Sequence, residues 1–503
     1  MTTNLFTILR ASLLRDPERP ALVWQGRPIS AAELLDRAGQ MAAELLALGV
    51  EPGDRVAVQV EKTHENVAVF LGALQAGAVY LPLNTGYTLA ELDYFIGDAE
   101  PKVMVADPAN AEALTPLVQK RGGTLVTLDA EGHGSLRDGA DRQPPATTVS
   151  SAGPDDLAAI LYTSGTTGRS KGAMLTHDNL WSNNKALIET WGFSADDVLI
   201  HALPLFHTHG LFVALDICLA TGAKIILLPK FDADQVIDLM ADATVLMGVP
   251  TFYTRLLANR RLTRDATRRM RLFISGSAPL LAETHEQFTA RTGQAILERY
   301  GMTETGMNTS NPLHGERRPG SVGLPLPGVQ VRVVDKDGKP VAPNEIGGIE
   351  VRGPNVFKGY WRLPEKTASE FREDGFFITG DLGMLSPDGY LTIVGRDKDL
   401  IISGGFNVYP KEVEDILNEL DGIAESAVIG VPHPDFGEAV VAVIVPSDPA
   451  NPPDERTVIT ATREQLAAYK RPKRVMTTDA LPRNTMGKVQ KSELRKAHQN
   501  LFG

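Results

Sequence analysis

The chain has 503 residues, of which 43% are hydrophobic and 22% are charged, as in a soluble protein long enough for two or more domains. Its formal net charge of −12 gives no support to nucleic-acid binding, and a single cysteine, Cys218, excludes an intramolecular disulfide. The N-terminal sequence lacks a signal-peptide pattern, and no apolar stretch is uninterrupted enough to span a membrane, so we expect a soluble, cytoplasmic protein.

The first 130 residues alternate predicted helices with predicted strands. An amphipathic helix over 30–49 begins at a capping box formed by Ser30 and Glu33, and a second helix covers about 65–76. Strands are predicted at 55–60, 78–82, 103–106 and 124–127. This alternation predicts a parallel sheet covered by helices, and the polar residues 131–156 predict a surface connection between two subdomains.

An apolar run over 157–162 predicts a buried strand that leads directly into a loop, Tyr162-Thr-Ser-Gly-Thr-Thr-Gly-Arg-Ser-Lys-Gly172. Glycines expose backbone N–H groups, hydroxyls add donors, and Arg169 and Lys171 add positive charge, which is the composition of a loop that wraps phosphates. The spacing differs from that of a Walker A loop at Ser170. A solvated linker is the alternative, but a linker seldom follows a buried strand so directly.

The rest of the chain divides into three parts. A helix is predicted over 177–191. Further strands are predicted at 198–203, 224–228, 244–249 and 271–275. Short strands and turns over 329–390 predict a small β-rich subdomain. Charges crowd together at Arg396–Asp399 and a short α+β pattern follows, so we place a boundary there and predict domains over 1–396 and 397–503. The predicted fold class is α/β, with a large domain of helix-covered sheets before a small α+β domain.

Two stretches within the large domain carry residues suited to nucleotide chemistry. The stretch 299–306 places an aromatic, a carboxylate and two hydroxyls around two glycines. Its Tyr300 could stack on a purine, Glu304 could hold Mg²⁺ through oxygen, and Thr303 could donate to a phosphate. In Thr379-Gly-Asp381, the carboxylate could accept both ribose hydroxyls. Each pattern alone is also common in solvated turns.

The last candidate is Lys488, which a turn of Pro, Asn and Gly presents as one flexible cation.

In order and spacing, these stretches resemble the motifs of the acyl-adenylate-forming superfamily, which includes acyl-CoA synthetases, peptide-synthetase adenylation domains and firefly luciferase. The loop at 162–172 resembles its phosphate loop, and 300–304 resembles its Y-G-x-T-E motif. Gly276-Ser-Ala-Pro279 is similar to its adenine-binding turn, and 482–488 to its lysine turn.

The resemblance implies an ATP-dependent reaction through an acyl-AMP, with Mg²⁺ as cofactor, and a C-terminal domain that rotates about Lys398. The ATP-binding residues that it implies are Thr163, Ser164, Gly165, Thr166, Thr167, Gly168, Lys171, Gly276, Ser277, Tyr300, Asp381 and Arg396. The catalytic residues that it implies are Lys488, Glu304 and Thr303, with Glu304 also binding Mg²⁺. Lys488 would bridge the acid's carboxylate and the α-phosphate, where a cation stabilises the charge of the transition state.

The segment after the boundary resembles the acyl-CoA synthetase version, in which glycines line the pantetheine channel. Ser403, Gly404 and Gly405 are then CoA-binding residues, and CoA is the expected acceptor because no carrier-protein domain follows. A luciferase-type oxygenase and a nucleotide-sensing pseudoenzyme are alternatives, and the presence of both Glu304 and Lys488 argues against the second. Several related synthetases are acetylated at the equivalent lysine, so an acetyltransferase and a deacetylase acting at Lys488 are possible partners.

The acid is predicted from the segment Pro250-Thr-Phe-Tyr-Thr-Arg255-Leu-Leu257. A cation pointing into an apolar pocket is costly unless an anion meets it, and Arg255 is suited to bidentate carboxylate binding. The alternative is that Arg255 extends to solvent. With Ser277 and His207 nearby, the segment resembles malonyl-CoA synthetases, in which the arginine grips the distal carboxylate. We therefore expect malonate, with methylmalonate tolerated, and a medium-chain or aromatic monocarboxylate as the alternative.

Overall fold

The computed structural model describes residues 4–163, 170–463, 465–484 and 487–503. Up to residue 163, helices alternate with strands, as predicted. The helices are α1 Leu5–Leu13, α2 Ala31–Ala47, α3 His64–Ala76, α4 Leu89–Ala99, α5 Ala111–Gln119 and α6 Ser135–Ala140. The strands are β1 Pro20–Trp24, β2 Arg27–Ser30, β3 Arg55–Gln59, β4 Val79–Pro82, β5 Val103–Ala106, β6 Thr124–Thr127 and β7 Leu157–Thr163.

The middle of the chain continues this alternation and then changes to strands and turns. The helices are α7 His177–Trp191, α8 Asp216–Thr221, α9 Ala233–Leu239, α10 Pro250–Ala258, α11 Ala282–Thr292 and α12 Pro364–Ser369, and a π-helical turn, His209–Leu215, precedes α8. The first strands are β8 Lys171–Thr176, β9 Val198–His201, β10 Lys224–Leu227, β11 Val245–Gly248, β12 Leu272–Ser275 and β13 Leu297–Met302. They are followed by β14 Gly306–Ser310, β15 Leu324–Pro325, β16 Gln330–Val334, β17 Gly347–Arg352, β18 Phe377–Leu385 and β19 Leu391–Arg396.

The C-terminal part begins after a 3₁₀ turn, Asp397–Asp399. Its strands are β20 Ile401–Ser403, β21 Phe406–Val408, β22 Ile423–His433, β23 Gly437–Pro446 and β24 Arg474–Thr477. Its helices are α13 Pro410–Asn418, α14 Glu455–Ala461 and α15 Lys491–His498. Within the described residues, no helix is both long enough and apolar enough to cross a membrane.

Four sheets organise these elements, which confirms the predicted fold class. One sheet has the order β6-β5-β3-β4-β7-β8 and is parallel except for the β7–β8 hairpin. A second has the order β15-β14-β13-β12-β11-β9-β10-β1-β2 and is parallel in its centre. The four antiparallel strands β16 to β19 form the small β-rich subdomain, and β20 to β24 form the sheet of the C-terminal part.

The main core lies between the two large sheets, where helix α3 is buried along almost its whole length. Rings of Phe70 and Tyr80 meet edge to face at 5.1 Å, and Phe212 of the π-helical turn contacts the same Phe70. Gly72 lets α2 approach α3 closely, because a Cβ there would lie 2.8 Å from the Ala38 carbonyl oxygen. Helix α2 is apolar on the one face that packs against α3, whereas α3 is apolar all round because it is buried between the sheets.

The predicted capping box at the start of α2 is only half present. The Ser30 side chain accepts a hydrogen bond from the Glu33 backbone N–H, as predicted. The Glu33 carboxylate instead forms an ion pair with Arg27, which the β1–β2 hairpin brings alongside it. The Glu33 carboxylate therefore pairs with the Arg27 guanidinium and not with the N-cap backbone N–H. The capping-box prediction was correct for the start of the helix and wrong for the second hydrogen bond.

Candidate active site

The candidate site lies where the carboxyl ends of parallel strands meet two hairpins. Strands β11, β12 and β13 run in parallel, so their carboxyl ends reach the same edge of the sheet. The turn 276–279 follows β12, and the 299–306 stretch covers most of β13 and the turn into β14. Thr163 ends β7 and Lys171 begins β8, as a phosphate loop between two hairpin strands requires. The predicted loop residues Ser164, Gly165, Thr166, Thr167 and Gly168 lie outside the described residues.

Tyr300, Asp381 and Arg396, three of the predicted ATP-binding residues, form one cluster. The Tyr300 hydroxyl donates to Asp381 Oδ2 at 2.5 Å, and Arg396 Nε lies 2.8 Å from Asp381 Oδ1. Antiparallel pairing of β18 with β19 places Asp381 directly opposite Arg396, and the Asp381 charge raises the pKa of Arg396. Each carboxylate oxygen keeps a second lone pair, so Asp381 can still accept hydrogen bonds from two hydroxyls of a ribose.

Glu304 lies in a second cluster with the predicted residue Lys171 and with Tyr360 and Glu370, which the sequence did not identify. Its side chain is buried, and Oε1 accepts a hydrogen bond of 3.1 Å from the Tyr360 hydroxyl, which also lies 2.7 Å from Glu370 Oε2. Lys171 Nζ lies 3.2 Å from Glu370 Oε1 and 4.0 Å from the centre of the Tyr360 ring. Burial raises the pKa of Glu304, and the Tyr360 hydrogen bond opposes that rise. The phosphate loop, the 299–306 stretch and the β-rich subdomain therefore meet at one network.

The donor set around Glu304 fits a magnesium ion held mainly by a nucleotide. Among the described residues, no group of three or more His, Cys, Asp or Glu side chains is placed to hold a metal. Mg²⁺ usually binds one or two carboxylates together with substrate phosphates and water, so it does not need such a group. Glu304 supplies one carboxylate, and Thr303 precedes it in the same turn with its side chain only partly buried. The roles of Glu304 in binding Mg²⁺ and of Thr303 in binding phosphate stay predictions.

The turn that carries Glu304 is held from behind by asparagine side chains. The Asn183 carboxamide donates to the Met307 carbonyl at 2.8 Å and accepts from the Met307 N–H at 2.9 Å. Asn355 Nδ2 donates to the Thr305 carbonyl at 2.6 Å. Gly306 has φ +57°, and a Cβ there would lie 2.6 Å from Asn183 Oδ1. These two asparagines are positioning residues, which the sequence analysis missed because no local pattern distinguishes them from other buried asparagines.

A tight turn of the C-terminal part brings Lys488 to the site. The Lys488 N–H donates to Asn484 Oδ1 at 3.0 Å, and the Arg483 guanidinium donates to the Gly487 carbonyl at 2.6 Å. Gly487 has φ +75° and lies against Thr251 at the start of α10, since a Cβ there would be 3.7 Å from the Thr251 side chain. The turn therefore packs on the N-terminal domain, and the Lys488 side chain is exposed to the cleft.

The electrostatic surroundings of Lys488 identify the groups it faces. Burial by the walls of the cleft lowers the pKa of Lys488 to about 8, and the Arg396 charge lowers it further. The carboxylates Asp381 and Glu304 act in the opposite direction, and Arg299 again lowers the pKa. The Lys488 ammonium is thus close enough to Asp381 and to Glu304 to respond to the charges of both. A cation near these groups would be suited to stabilise an anionic transition state.

The turn after β12 contacts His209, a residue that the sequence analysis did not name. Ser277 has φ +71°, and its hydroxyl lies 3.3 Å from His209 Nδ1. His207, the predicted substrate residue, accepts a hydrogen bond of 3.3 Å from the His209 N–H through Nδ1. Burial and the charges of Lys488 and Arg299 lower the pKa of His207 to about 3, so it is neutral. The two predicted substrate residues Ser277 and His207 are therefore linked through His209.

Arg255 lies on the exposed face of α10, not in the apolar pocket from which its role was predicted. The buried residues of this helix are Tyr253 and Leu256. Arg255 is one turn from Thr251, so it shares the face that packs beside the Gly487 turn. No ion pair of Arg255 occurs within the part of the chain that the structure describes. Its side chain is therefore solvent-exposed on α10.

The predicted CoA-binding and hinge residues lie in the C-terminal part. Ser403–Gly405 form the tip of the β20–β21 hairpin, with Ser403 buried and both glycines at positive φ. The neighbouring side chains of Ile402 and Phe406 are 53% and 57% exposed, an unusual exposure for apolar residues. Lys398 is the middle residue of the 3₁₀ turn between β19 and β20. The hairpin therefore carries an apolar surface that a rotation at this turn would move.

Two sequence profiles match most of the chain. The profile described as AMP-binding enzyme matches residues 9–361, and the one described as AMP-binding enzyme C-terminal domain matches residues 412–488. The chain belongs to the AMP-binding enzyme family. The metal, ribose and lysine clusters all lie in or beside these two matched regions.

This AMP-binding enzyme is similar to proteins of known structure and to characterised relatives. The ATP-bound crystal structure of MatB from Rhodopseudomonas palustris is 58% identical, covers 100% of both chains and superposes with a TM-score of 0.98. Feruloyl-CoA synthase of Amycolatopsis sp is 39% identical over 485 residues, or 95% of this chain and 96% of that protein. Malonate–CoA ligase of Arabidopsis thaliana is 36% identical over 494 residues, or 92% of this chain and 81% of that protein.

The two MatB crystal structures differ in how well they match. The apo structure of MatB from Rhodopseudomonas palustris has the same identity and coverage as the ATP-bound one, but its TM-score is 0.86 rather than 0.98. Because the sequence is the same, the two scores reflect a different arrangement of the chain in the two crystals. This AMP-binding enzyme has the arrangement of the ATP-bound form, consistent with Lys488 lying in its cleft.

Proposed function

We propose that the protein is an ATP-dependent malonate–CoA ligase that forms malonyl-AMP and pyrophosphate, then malonyl-CoA and AMP. The observation that carries the first step is the position of Lys488, whose pKa responds to Arg396, Asp381 and Glu304 together. Membership of the AMP-binding enzyme family and similarity to a malonate–CoA ligase over 92% of the chain support the reaction class. Methylmalonate is a tolerated substrate, since one methyl group changes binding by only about 1–3 kcal/mol.

In the first step, the protein positions ATP and the acid so that a carboxylate oxygen attacks the α-phosphate. Asp381 accepts from the ribose hydroxyls, the 276–279 turn faces the adenine, and Thr163 and Lys171 flank the loop that takes the phosphates. Glu304 would hold Mg²⁺, which neutralises phosphate charge when bound. Lys488 lies between the carboxylate and the α-phosphate and stabilises the charge that accumulates there, so pyrophosphate leaves with less electrostatic cost.

The distal carboxylate of the acid is bound on the other side of the cleft. Ser277 donates to it and His209 supports Ser277 from 3.3 Å, with the neutral His207 next to them. Arg255 closes the mouth of the cleft and offers a bidentate guanidinium. This arrangement favours an acid whose second carboxylate is close to the first, which is the shape of malonate.

In the second step, we infer that the domain over 397–503 rotates about Lys398 relative to the domain over 1–396. Rotation withdraws Lys488 and brings in the β20–β21 hairpin, so that Ser403, Gly404 and Gly405 line a channel for the pantetheine arm of CoA. The exposed Ile402 and Phe406 would then be covered, which gives a reason for their exposure. A cytoplasmic location stays a prediction from the sequence.

A monocarboxylate ligase is the second candidate, because feruloyl-CoA synthase is 39% identical over 95% of the chain. ATP–pyrophosphate exchange without CoA separates the two functions. Malonate is expected to support exchange well above butyrate or ferulate, and Lys488→Ala is expected to abolish it while transfer from supplied malonyl-AMP to CoA persists. Exchange that is fastest with ferulate would favour the second function. Equal loss of both half-reactions in Lys488→Ala would contradict the bridging role of Lys488.

We also infer that an acetyltransferase and a deacetylase can control the enzyme through Lys488. Acetylation of Nζ removes the positive charge that the first step needs, and the side chain is exposed to the cleft. Malonate-dependent exchange is expected to fall in proportion to the fraction of Lys488 acetylated, measured by mass spectrometry, and to return after deacetylation. Full activity in protein acetylated completely at Lys488 would exclude this control.

A further inference from the structure

Lys62 is a buried ammonium whose three hydrogen bonds all go to a distant part of the chain. It lies between β3 and α3, and the residue is 6% exposed. Its Nζ lies 2.8 Å from His201 Nδ1, 2.7 Å from the His201 carbonyl oxygen and 2.8 Å from the Leu203 carbonyl oxygen. No carboxylate pairs with Lys62 within the described part of the chain, and burial lowers its pKa well below the usual range. Two other shielded lysines, Lys171 and Lys491, instead pair with glutamates.

The contacts of Lys62 join the two large sheets at the edge where the candidate site lies. Strand β3 belongs to the six-stranded sheet, and β9, which ends at His201, belongs to the nine-stranded one. Because β9 runs parallel to β11, and β11 to β12, His201 lies at the same edge as the turn after β12. An apolar side chain would fill this space without the cost of burying an ammonium, so the geometry that the ammonium imposes, and not packing, explains Lys62.

The His201 ring connects Lys62 to the far end of the segment 201–210. Nε2 lies 2.8 Å from the Gly210 carbonyl oxygen, so Nε2 carries the proton and donates. Burial and the Lys62 charge lower the pKa of His201 well below its usual range, so the ring is neutral and its Nδ1 accepts from Lys62 Nζ. Gly210 lies against the start of the segment, since a Cβ there would be 1.9 Å from the Pro204 carbonyl oxygen. Lys62 therefore holds one end of the segment directly and the other end through His201.

The same segment carries the two histidines of the acid site. His207 Nδ1 accepts from the His209 N–H, and His209 Nδ1 lies 3.3 Å from the Ser277 hydroxyl. The Lys488 charge lowers the pKa of His207, so this histidine lies close to the lysine that enters the cleft. A displacement of the ends of the segment would therefore move both histidines relative to Ser277 and Lys488. The hydrogen bonds of Lys62 all go to residues 201 and 203, so it acts on the site only through the segment.

We propose that Lys62 is a positioning residue that fixes the 201–210 segment, and with it His207 and His209, in the arrangement that binds the acid. The inference rests on the proposed function for the location of the acid site, and it holds for whichever acid binds there. The ribose cluster of the ATP site is built on β13, β18 and β19, which Lys62 does not contact. Loss of Lys62 should therefore impair use of the acid and spare binding of ATP.

The test measures ATP–pyrophosphate exchange with full-length Lys62→Met, a side chain of similar length that has no donor. We expect kcat/KM for malonate to fall about tenfold or more, because a small displacement of binding groups is costly to the reaction. KM for ATP should change by less than about twofold, since the ribose cluster is a separate site. Lys230→Met is the matched control, because Lys230 is an exposed lysine that follows β10 at the same edge of the sheet. This control should keep the wild-type values.

A conservative substitution provides a second readout. A cavity of about 80 Å³, lined in part by Tyr80, Pro204 and Phe206, adjoins Lys62 and gives room for a guanidinium. Arginine remains charged when buried and has enough donors for the same three acceptors. Lys62→Arg is therefore expected to recover most of the kcat/KM for malonate that Lys62→Met loses. A Lys62→Arg variant as impaired as Lys62→Met would show that donation to the segment is not what the site requires.

Thermal unfolding distinguishes positioning from a purely structural role. The Tm of Lys62→Met should fall without ligands, because His201 Nδ1 and the Leu203 carbonyl lose their donor, and ATP should still raise it. If this variant does not fold, Lys62→Gln carries the same test of kcat/KM and KM, because its amide keeps two donors. A lower Tm with wild-type kcat/KM for malonate, or an equal rise of KM for ATP and malonate, would overturn the positioning role. A wild-type enzyme that prefers butyrate to malonate would overturn the proposed function alone, and the same variants measured with butyrate would then decide the role of Lys62.

Discussion

Lys488 is the residue whose surroundings explain the chemistry most directly. Its ammonium faces two carboxylates, Asp381 and Glu304, and two cations, Arg396 and Arg299, and burial with these cations lowers its pKa to about 8. A lysine with this pKa is charged at neutral pH, and its side chain is exposed to the cleft. Its charge is therefore available to an α-phosphate that binds there.

The lowered pKa of Lys488 predicts how adenylation depends on pH. Lysine carries its charge below its pKa, so kcat/KM for malonate-dependent exchange should be level below about pH 7 and fall as pH rises through about 8. The other groups near it should not cause this fall, because burial keeps His207 neutral across this range, with a pKa of about 3, and arginine side chains stay protonated. Exchange rates measured from pH 6 to 9.5 provide the check. A rate that rises through pH 8 would show that neutral Lys488 is the active form.

Arg255 predicts a second effect at the level of one residue. Arg255→Ala should raise KM for malonate, because the mouth of the cleft loses a cation, and should leave KM for ATP unchanged, because Arg255 has no contact with the ribose or metal clusters. Arg260→Ala is the matched control, since Arg260 is an exposed arginine just beyond the same helix. An unchanged KM for malonate would place Arg255 outside the acid site.

At the scale of elements, the site depends on α7 holding the turn between β13 and β14. Asn183 of α7 makes two hydrogen bonds to the Met307 backbone, and Asn355 adds another to the Thr305 carbonyl. Since α7 follows β8 directly, the same helix also fixes the far strand of the phosphate-loop hairpin. One element thus aligns two halves of the ATP site.

This coupling predicts that Asn183→Ala lowers both stability and nucleotide binding. The substitution leaves the buried N–H of Met307 without its side-chain acceptor, which costs about 1–3 kcal/mol, and leaves the Met307 carbonyl with only the longer hydrogen bond of 3.3 Å from Asn355 Nδ2. Tm should fall and KM for ATP should rise, while Lys185→Ala, at an exposed position on the same helix, should change neither. Wild-type values of both quantities in Asn183→Ala would show that the turn holds its shape without α7.

The sequence predicted the elements that local patterns determine and missed those that depend on contacts with distant parts of the chain. The helix over 30–49 and the alternation of helices with strands followed from periodicity, and the order of the motifs indicated the ribose and metal clusters. Strand β1 was not predicted, because Pro20–Trp24 is a strand through its pairing with β10, about two hundred residues later. Tyr360 and Glu370 were missed for the same reason, since they approach Glu304 from the segment between β17 and β18, more than fifty residues later in the chain.

The residues of the acid site were also difficult to predict from local sequence patterns. His207 was named as a substrate residue, whereas His209, which starts the π-helical turn and lies 3.3 Å from the Ser277 hydroxyl, was not identified. Arg255 was chosen because its helix looked apolar, yet it is exposed, whereas Arg299 was part of a noted motif and is buried. Burial is set by packing between distant elements, so a single sequence could not rank the two arginines.

At the scale of the whole molecule, the C-terminal part completes a site that the rest of the chain builds. Lys488 enters the cleft only because the Gly487 turn packs on Thr251, and the arrangement matches ATP-bound rather than apo MatB. On the far side of the 3₁₀ turn, Arg495 of α15 lies 2.9 Å from Asp399, which anchors the start of the C-terminal sheet. Because these contacts hold both sides of the 3₁₀ turn, we expect the C-terminal part to rotate about Lys398 between the two half-reactions.

The measurement that tests this account most directly is a competition between acids for limiting CoA. Equimolar malonate, methylmalonate, butyrate, octanoate, benzoate and ferulate are incubated with the enzyme, ATP and Mg²⁺, and the acyl-CoA products are quantified by mass spectrometry. Product ratios report the ratios of kcat/KM. We predict malonyl-CoA, with methylmalonyl-CoA second, at about 100-fold or more above every monocarboxylate product. A mixture dominated by butyryl-, octanoyl-, benzoyl- or feruloyl-CoA would contradict the assignment of malonate.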